Sequence, residues 1–379
     1  MKILYVGGIN ANQKGAIGSH TMGIIQAFKE CEIISLDGMF FKDKIPEIKP
    51  EFYYIFNEKI SNRVVKKILQ YYRFIKFFYK ILKHNSYDYY YFRFDPFISP
   101  FISNKKMITE YNDLFFTQIK FAANKGEWKI IGRLIRTSFP YRTFILWAEK
   151  YTFKRSYLTI VVTKKLKEYC QNIDKNIKIH LMLNASFKIK YIPNNIQKDE
   201  YLNIGHIGTI TYWDGLTELL YAIKYCIKSF PDCKIRLFIV GSGSLKENLS
   251  KTVLDLNLTE NVVILNEVPF HYVRQFYNQI DIVPLLKTID DYDLSPIKYY
   301  EALIFGKTLI VSNIPHINEL PSFAGKVVNF PLDIVEIGNI LYSMFIEKSL
   351  IRSNQEMIHK YAIKNHTWQS RISELLKEL

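Results

Sequence analysis

Two acidic residues eight positions apart, Asp293 and Glu301, bracket the stretch of the chain whose residue types are best suited to chemistry. Between them, Ser295-Pro296 is typical of a helix start, and Lys298 follows in the first turn. A helix start offers N–H groups and a dipole to an anion. Glu301 lies about one and a half turns further on, where a carboxylate can accept hydrogen bonds from a sugar diol. An anion site followed by a diol site is what a nucleotide requires.

The stretch ends at Gly306, and an apolar strand pattern follows. Residues 293–306, together with 310–312 and 315–320, resemble the donor-binding signature of glycosyltransferase family 4, which has the GT-B architecture. The family pattern is an acid, seven residues, a glutamate, a helix end and a strand. A common variant reads Ser-Pro-x-Lys-x-x-Glu, as residues 295–301 do.

The resemblance implies roles for these residues. Glu301 would bind the ribose of a nucleotide-sugar, and the backbone at Ser295 and Pro296 would face its phosphates. Asp293 would contact the donor sugar, and Lys298 would help to hold the diphosphate. The resemblance also implies retention of anomeric configuration and no metal requirement, with the nucleotide-sugar as a substrate rather than a cofactor; it does not distinguish a UDP from a GDP donor.

A glycine-rich segment, residues 205–215, resembles the family's turn after the first strand of the donor domain. That turn usually carries an Arg and a Lys that hold the diphosphate, whereas this chain has Thr209 and Asp214. The missing charge could come from Lys298, Lys287 or the helix start at Ser295. By the same resemblance, the donor contacts also include Gly208, Trp213, Gly241 and Val268.

The amino-terminal half supplies candidates for binding the acceptor or a phosphate. Glycine permits close approach of a ligand to the backbone, and polar residues at strand ends lie where ligands gather in such sheets. His20 and Glu110 are candidate catalytic residues. The candidate binding residues are Gly8, Gly18, Ser19, Arg93 and Asn112.

The net charge of +15 is concentrated in this half: residues 1–190 carry +18 and the remainder −3. Residues 59–83 contain no acid and interleave basic with aromatic side chains, as in helices that lie on anionic membranes. A core helix with a solvated basic face, or a nucleic-acid groove, remains an alternative. We expect the binding partner of this segment to be an anionic membrane surface and not a nucleic acid. The candidate membrane residues are Arg63, Lys66, Lys67, Arg73, Lys76 and Lys80.

No apolar run is long enough to span a bilayer, no signal peptide is evident, and the four scattered cysteines lack metal-site spacing. We therefore expect a cytoplasmic protein that is peripheral to the inner membrane face and binds no metal. Strand and helix patterns alternate twice, which predicts an α/β protein. With the resemblance, the expected fold is GT-B: two doubly wound Rossmann-like domains facing a central cleft.

We place the acceptor domain at residues 1–194 and the donor domain at 195–359, with a terminal helix, 360–379, packing back on the first domain. The function implied is transfer of a sugar from a nucleotide-sugar to a saccharide or lipid-linked saccharide, in surface polysaccharide biosynthesis. A sugar-nucleotide epimerase and an inactive homologue acting as a scaffold or regulatory subunit are the alternatives.

Overall fold

The computed structural model of the chain describes most of its residues. The described ranges are 1–7, 16–41, 52–54, 61–112, 138–191, 200–268, 270–288, 295–313 and 320–379. By internal contacts the chain divides into two compact units, one of Met1–Leu183 with Arg371–Leu379 and one of Asn184–Ser370.

The first unit is a parallel sheet with helices. Its strands are β1 (Lys2–Val6), β2 (Ser35–Phe41), β3 (Phe52–Tyr54), β4 (Tyr89–Arg93), β5 (Met107–Tyr111), β6 (Leu158–Val161) and β7 (Ile179–Leu181). Its helices are α1 (Ala16–Lys29), α2 (Arg63–His84), α3 (Ser99–Ile102), α4 (Phe139–Arg155) and α5 (Lys164–Ile173). The strand order is β3-β2-β1-β4-β5-β6-β7, and all pairings are parallel.

The second unit repeats this architecture. Its strands are β8 (Leu202–Ile207), β9 (Ile235–Val240), β10 (Val262–Leu265), β11 (Ile282–Leu285), β12 (Thr308–Ser312) and β13 (Gly325–Val328), in the order β10-β9-β8-β11-β12-β13. The helices assigned after β8 are α6 (Leu216–Ser229), α7 (Lys246–Asp255), α8 (Phe270–Tyr277), α9 (Ile297–Ile304), α10 (Ile334–Ile346), α11 (Lys348–Ser353), α12 (Gln355–Asn365) and α13 (Trp368–Leu375). The α/β prediction is confirmed in both units.

Two helix starts show how the sequence sets these elements. The side chain of Asn62 caps α2 by accepting hydrogen bonds from the backbone N–H groups of Val64 and Val65, at 3.0 and 3.2 Å. Pro296 precedes the first residue of α9, where a fixed φ favours helix entry. The predicted helix start at 295–296 is therefore confirmed.

The residue pattern predicts one helix over residues 52–84, and this prediction is wrong at its amino end. Residues 52–54 form β3, which pairs in parallel with β2, and the helix begins at Arg63. The Phe-Tyr-Tyr sequence of β3 explains the difference, because aromatic side chains favour a pleated surface.

A buried polar cluster lies at the amino ends of the strands in the second unit. Arg352 donates from Nε and Nη2 to the two carboxylate oxygens of Asp281, at 2.9 Å each, and the N–H of Asn203 donates to the same carboxylate at 3.0 Å. Lys307 is completely buried nearby, and its ammonium has no hydrogen-bond partner among the described residues. Burial lowers the pKa of Lys307 to about 7, against the opposing effect of Asp281.

Candidate functional site

The strand order of the second unit reverses at β8, which lies between β9 and β11. Loops that leave adjacent strands in opposite directions open a crevice at the carboxyl edge of a sheet, where ligands bind in folds of this kind. The turn after β8 begins at Gly208, and Lys287 follows β11. The sheet topology therefore brings the predicted donor residues to a switch point.

Lys298 lies against the turn at Gly208. Its Nζ is 3.2 Å from Nε2 of His206. Gly208 has φ +124°, and a Cβ there would lie 2.7 Å from Cε of Lys298. Only glycine combines this backbone conformation with room for the lysine side chain. Two residues predicted separately, Gly208 and Lys298, are thus in contact.

The surroundings of Lys298 lower the pKa of its ammonium group. Burial lowers the pKa of Lys298 to about 8, although Asp214 opposes the shift. Burial, together with the charge of Lys298, lowers the pKa of His206 to about 3. His206 is therefore a neutral imidazole near neutral pH. Its Nε2 also lies 3.3 Å from the carbonyl oxygen of Thr209, and in the tautomer protonated at Nδ1 it accepts a hydrogen bond from the Lys298 ammonium.

Asp214 and Lys287 form a buried ion pair, with 2.7 Å between Oδ1 and Nζ. The other carboxylate oxygen accepts from the backbone N–H and the hydroxyl of Thr211, at 3.1 and 2.5 Å. Burial alone would raise the pKa of Asp214, but the charges of Lys287 and Lys298 hold it well below its usual range. The pair fixes the end of the turn and neutralises Lys287, one of the predicted sources of the missing charge.

Glu301 lies one turn beyond Lys298 on α9, partly buried. Burial raises its pKa to about 7, against the opposing charge of Lys298. The side chain of Ser295 forms hydrogen bonds within the protein. Its Oγ accepts from the backbone N–H of Asn184 at 2.8 Å and lies 2.9 Å from the hydroxyl of Tyr300. Pro296 caps α9 without a side-chain hydrogen bond. The polar groups that this helix start presents to an anion are therefore backbone N–H groups and Lys298.

Gly241 supports the turn from the neighbouring strand end. A Cβ on Gly241 would lie 1.8 Å from the carbonyl oxygen of Gly208, and the N–H of Gly208 donates to the carbonyl of Val240 at 2.9 Å. The loops after β8 and β9 therefore pack backbone against backbone. Thr209 is exposed on this turn, and Trp213 is partly buried in its final residues.

Val268, after β10, is partly buried. The predicted donor residue Asp293 lies outside the described residues, as does the predicted loop residue Gly8.

In the first unit, Glu110 is the centre of a buried hydrogen-bond cluster. Its Oε1 lies 2.5 Å from Nε2 of His20 and also accepts from the amide of Asn112, while Oε2 accepts from the hydroxyl of Tyr91 at 2.5 Å. Burial would raise the pKa of Glu110, but His20, Arg93 and the hydrogen bonds lower it to about 2. The carboxylate is directed inward and positions His20.

The other predicted residues of this unit lie around the same sheet edge. Arg93 ends β4 and pairs in register with Glu110 on β5. Asn112 follows β5, and its buried Oδ1 has no hydrogen-bond partner among the described residues. Gly18 and Ser19 belong to α1, although the side chain of Ser19 lies outside the described residues.

The predicted membrane residues lie on α2. Their side chains are solvent-exposed, except that of Arg63, which lies outside the described residues: Lys66, Lys67, Arg73, Lys76 and Lys80. No described helix is both long and apolar enough to cross a bilayer. Within the described ranges, no group of three or more His, Cys, Asp or Glu side chains is arranged to hold a metal ion.

Two features of the site escaped sequence reasoning. The first is the contact between His206 and Lys298. The second is that Asp214, which occupies a position where the family has a cation, forms an ion pair with Lys287. A polar histidine inside the apolar strand Leu202–Ile207, two residues before the glycine turn, was the available signal for the first. The pairing of Asp214 with Lys287 has no local signal.

Comparison with known proteins finds a family to which part of the second unit is similar. The sequence model of the family described as Glycosyl transferases group 1 matches residues 202–330. An uncharacterized glycosyltransferase of Methanocaldococcus jannaschii is 28% identical over 148 residues, which are 35% of this chain and 36% of that protein. The match thus spans about a third of the relative's length.

Two solved structures are similar over the whole chain. Sucrose-phosphate synthase from Thermosynechococcus elongatus has a TM-score of 0.73 at 13% identity and covers 99% of this chain and 97% of its own. HepE of Anabaena, solved with UDP and glucose, has a TM-score of 0.69 at 14% identity and covers 100% of both. At such identities the likeness establishes the fold. Residues 202–330 of this chain are therefore similar to the group 1 glycosyltransferases, within a protein of the GT-B fold.

Proposed function

We propose that the protein transfers a sugar from a nucleotide-sugar to a saccharide or lipid-linked saccharide at an anionic membrane face, in surface glycan biosynthesis. Transfer retains the anomeric configuration and needs no metal ion. The observation that carries the proposal is the arrangement on α9, where Lys298 meets the glycine turn at Gly208 and Glu301 follows one turn later. This spacing suits a diphosphate and a ribose.

Lys298 and the N–H groups of the first turn of α9 bind the donor diphosphate in this mechanism. Negative charge grows on the diphosphate as the glycosidic bond breaks, and positioned cations and N–H groups stabilise that charge most in a water-poor site. Glu301 accepts hydrogen bonds from the ribose hydroxyls and sets the position of the nucleotide. Asp293 contacts the hydroxyls of the donor sugar.

The two units divide the remaining tasks. His20 and Arg93 lie at the carboxyl edge of the first sheet, where they bind the acceptor, and Glu110 positions His20. The basic face of α2 holds this unit on anionic lipid, in keeping with a lipid-linked acceptor. The protein acts at the cytoplasmic face of the membrane.

Nucleotide release from a panel of nucleotide-sugars tests the transferase. UDP-sugars head the panel because HepE, of the same fold, is solved with UDP and glucose. Release of nucleotide from one donor, lost in Glu301→Ala and unchanged by EDTA, is the expected result. If Glu301→Ala binds nucleotide as tightly as the parent protein, the donor assignment is wrong.

A second candidate is an inactive homologue that serves as a scaffold or regulatory subunit. The neutralisation of Lys287 by Asp214 favours it, because one cation fewer faces the diphosphate. The result expected for such a homologue is that no donor of the panel releases nucleotide, although the protein still binds nucleotide. An epimerase would instead convert the sugar of the nucleotide-sugar without acceptor, which product analysis by NMR detects.

Flotation with vesicles that contain phosphatidylglycerol tests the membrane proposal. Neutralising the basic face of α2 should abolish flotation, and unchanged flotation refutes the role of this face. The test variant carries Gln at positions Lys66, Lys67, Lys76 and Lys80.

A further inference from the structure

The exposed face of α4 carries four large apolar or aromatic side chains. Phe139 is 80% exposed and Trp147 is 45% exposed, and Leu146 and Tyr151 are also exposed. Their positions place them on one side of the helix. Large aromatic side chains in a group on a surface mark an interaction site rather than chance exposure.

α2 carries a matching stripe beside its basic residues. Val64 and Ile68 are 68% and 61% exposed, and Tyr72 is 62% exposed. The spacing of four residues aligns these three side chains along one face of the helix. A solvated surface helix has no need of three large apolar side chains in a row.

A run of aromatic rings joins the two helices. Tyr71 of α2 stacks on Phe97 at 5.4 Å between centroids, and Phe97 stacks on Phe144 of α4 at 5.4 Å. Phe144 contacts Trp147 at 5.7 Å, and Trp147 stacks on Tyr151 at 5.3 Å. α2 and α4 therefore border one continuous surface of the first unit.

The charge that α2 and α4 themselves expose is positive. α2 contains no acidic residue, and the one acid of α4, Glu149, is completely buried between the hydroxyls of Tyr111 and Tyr169. Lys150 is exposed among the aromatic side chains of α4, and the basic residues of α2 flank its stripe. Lys154 is also exposed but is paired with Asp174 at 2.5 Å. A second copy of the chain would bring like charges together, and a nucleic acid would leave Val64 and Ile68 in water.

We infer that α2 and α4 together form one membrane-docking surface, in which the exposed apolar side chains of α4 enter the interfacial layer of an anionic bilayer and the lysines of both helices contact lipid phosphates. Tyr and Trp suit this depth because each has an apolar ring and a polar tip. The inference rests on the membrane part of the proposed function and extends it to a second helix.

The α4 variant Phe139→Ser/Trp147→Ser tests the inference in flotation with phosphatidylglycerol vesicles. Two exposed apolar residues of the second unit, changed in Tyr221→Ser/Leu254→Ser, provide a matched control. The α4 variant should lose at least about tenfold in vesicle affinity, because buried apolar area drives interfacial binding, while the control variant binds as the parent does. Equal binding of both variants overturns the inference.

Quenching of tryptophan fluorescence by bromolipids gives a second readout that does not depend on the serine variant folding. Vesicles with brominated chains should quench the parent protein, and Trp147→Phe should lose most of that quenching. Quenching that survives this change, or dimerisation or oligonucleotide binding that the α4 variant abolishes, overturns the inference. Nucleotide release from a soluble donor is measured alongside, so failure of the transferase proposal and failure of docking give separate results.

Discussion

Lys298 and Glu301 lie one turn apart on α9, and burial moves their pKa values toward each other. The pKa of Lys298 falls to about 8 and that of Glu301 rises to about 7. The proposed mode of donor binding requires an ammonium at Lys298 and a carboxylate at Glu301. Both are present together only in a narrow interval of pH.

We therefore expect nucleotide affinity to peak between about pH 7 and 8. Below this interval Glu301 is protonated and loses its full capacity to accept from a diol, and above it Lys298 loses its charge. On either side the affinity should fall by up to about tenfold per pH unit. Calorimetric titration of nucleotide across this range measures the profile. An acid limb that persists in Glu301→Gln would show that another group controls it.

Lys298 should carry a large share of diphosphate binding, because Lys287 is neutralised by Asp214. Lys298→Met should weaken nucleotide affinity by about 10- to 100-fold, the loss expected for a hydrogen bond to a charged group. The affinity is measured at the pH optimum of the parent protein. His206→Gln retains an acceptor for Lys298 and serves as the matched variant, for which a much smaller loss is expected. Similar affinities for Lys298→Met and the parent would remove Lys298 from the site.

At the scale of elements, the site depends on how the loops after β8, β9 and β11 hold one another. The ion pair of Asp214 and Lys287 joins the turn after β8 to the end of β11, and Gly241 packs on the backbone of Gly208. Removing one partner of a buried ion pair leaves the other charge without compensation. The pair therefore stabilises the turn even though it takes a cation away from the ligand.

Asp214→Asn should lower the free energy of unfolding by about 3–5 kcal/mol, because Lys287 then remains buried without its partner. Urea denaturation followed by circular dichroism measures the change. The double variant Asp214→Asn/Lys287→Met removes the stranded charge and should recover part of the loss. No recovery in the double variant would mean that Asp214 stabilises the turn through Thr211 alone.

Gly208→Ala should weaken nucleotide binding and lower stability by about 1–3 kcal/mol, the cost of a side chain at a positive φ. The added Cβ would also displace Lys298, whose Cε lies 2.7 Å from the position of that Cβ. The effect on affinity should therefore vanish in a Lys298→Ala background, which a double-mutant cycle measures. An unchanged effect in that background would show that the turn, and not Lys298, is responsible.

The elements around this site were largely predictable. Strands 202–207, 235–240 and 262–265 have the bounds that their short apolar runs predict, because glycine, proline and polar residues separate them. The pairs inside the site were not predictable. Asp214 and Lys287 are 73 positions apart, and Lys298 and His206 are 92 apart. No periodicity joins such residues; only the parallel sheet brings them together.

At the scale of the whole molecule, the two units share an architecture but differ in charge and in their buried polar groups. The excess positive charge lies in the amino-terminal half, and the completely buried Lys307 lies in the second unit. Its folded-state pKa of about 7 is below the ordinary value of 10.5. Between these two values the unfolded chain binds more protons than the folded one, so this residue makes stability rise with pH.

Lys307→Met should therefore stabilise the protein near pH 7, by about 1–3 kcal/mol, the cost of an unsatisfied buried polar group. The gain should shrink as the pH rises from about 7 through 10.5, because above that value the parent's lysine is neutral in both states. Unfolding free energies of the two proteins at several pH values give the comparison. Lys251→Met, at an exposed lysine of the same unit, is the control. A loss of stability in Lys307→Met at every pH would contradict the prediction.

The backbone contact between Gly208 and Gly241 has an evolutionary consequence. A Cβ at Gly241 would lie 1.8 Å from the carbonyl oxygen of Gly208, so side-chain variation is blocked at this point of contact. Under the proposed function, new donor preferences cannot arise there through small substitutions. They are free to arise at the exposed side chains of the same turn, Thr209 and Tyr212, which project from a frame that stays constant. In proteins with this turn, we therefore expect changes in donor specificity to occur at a few surface positions.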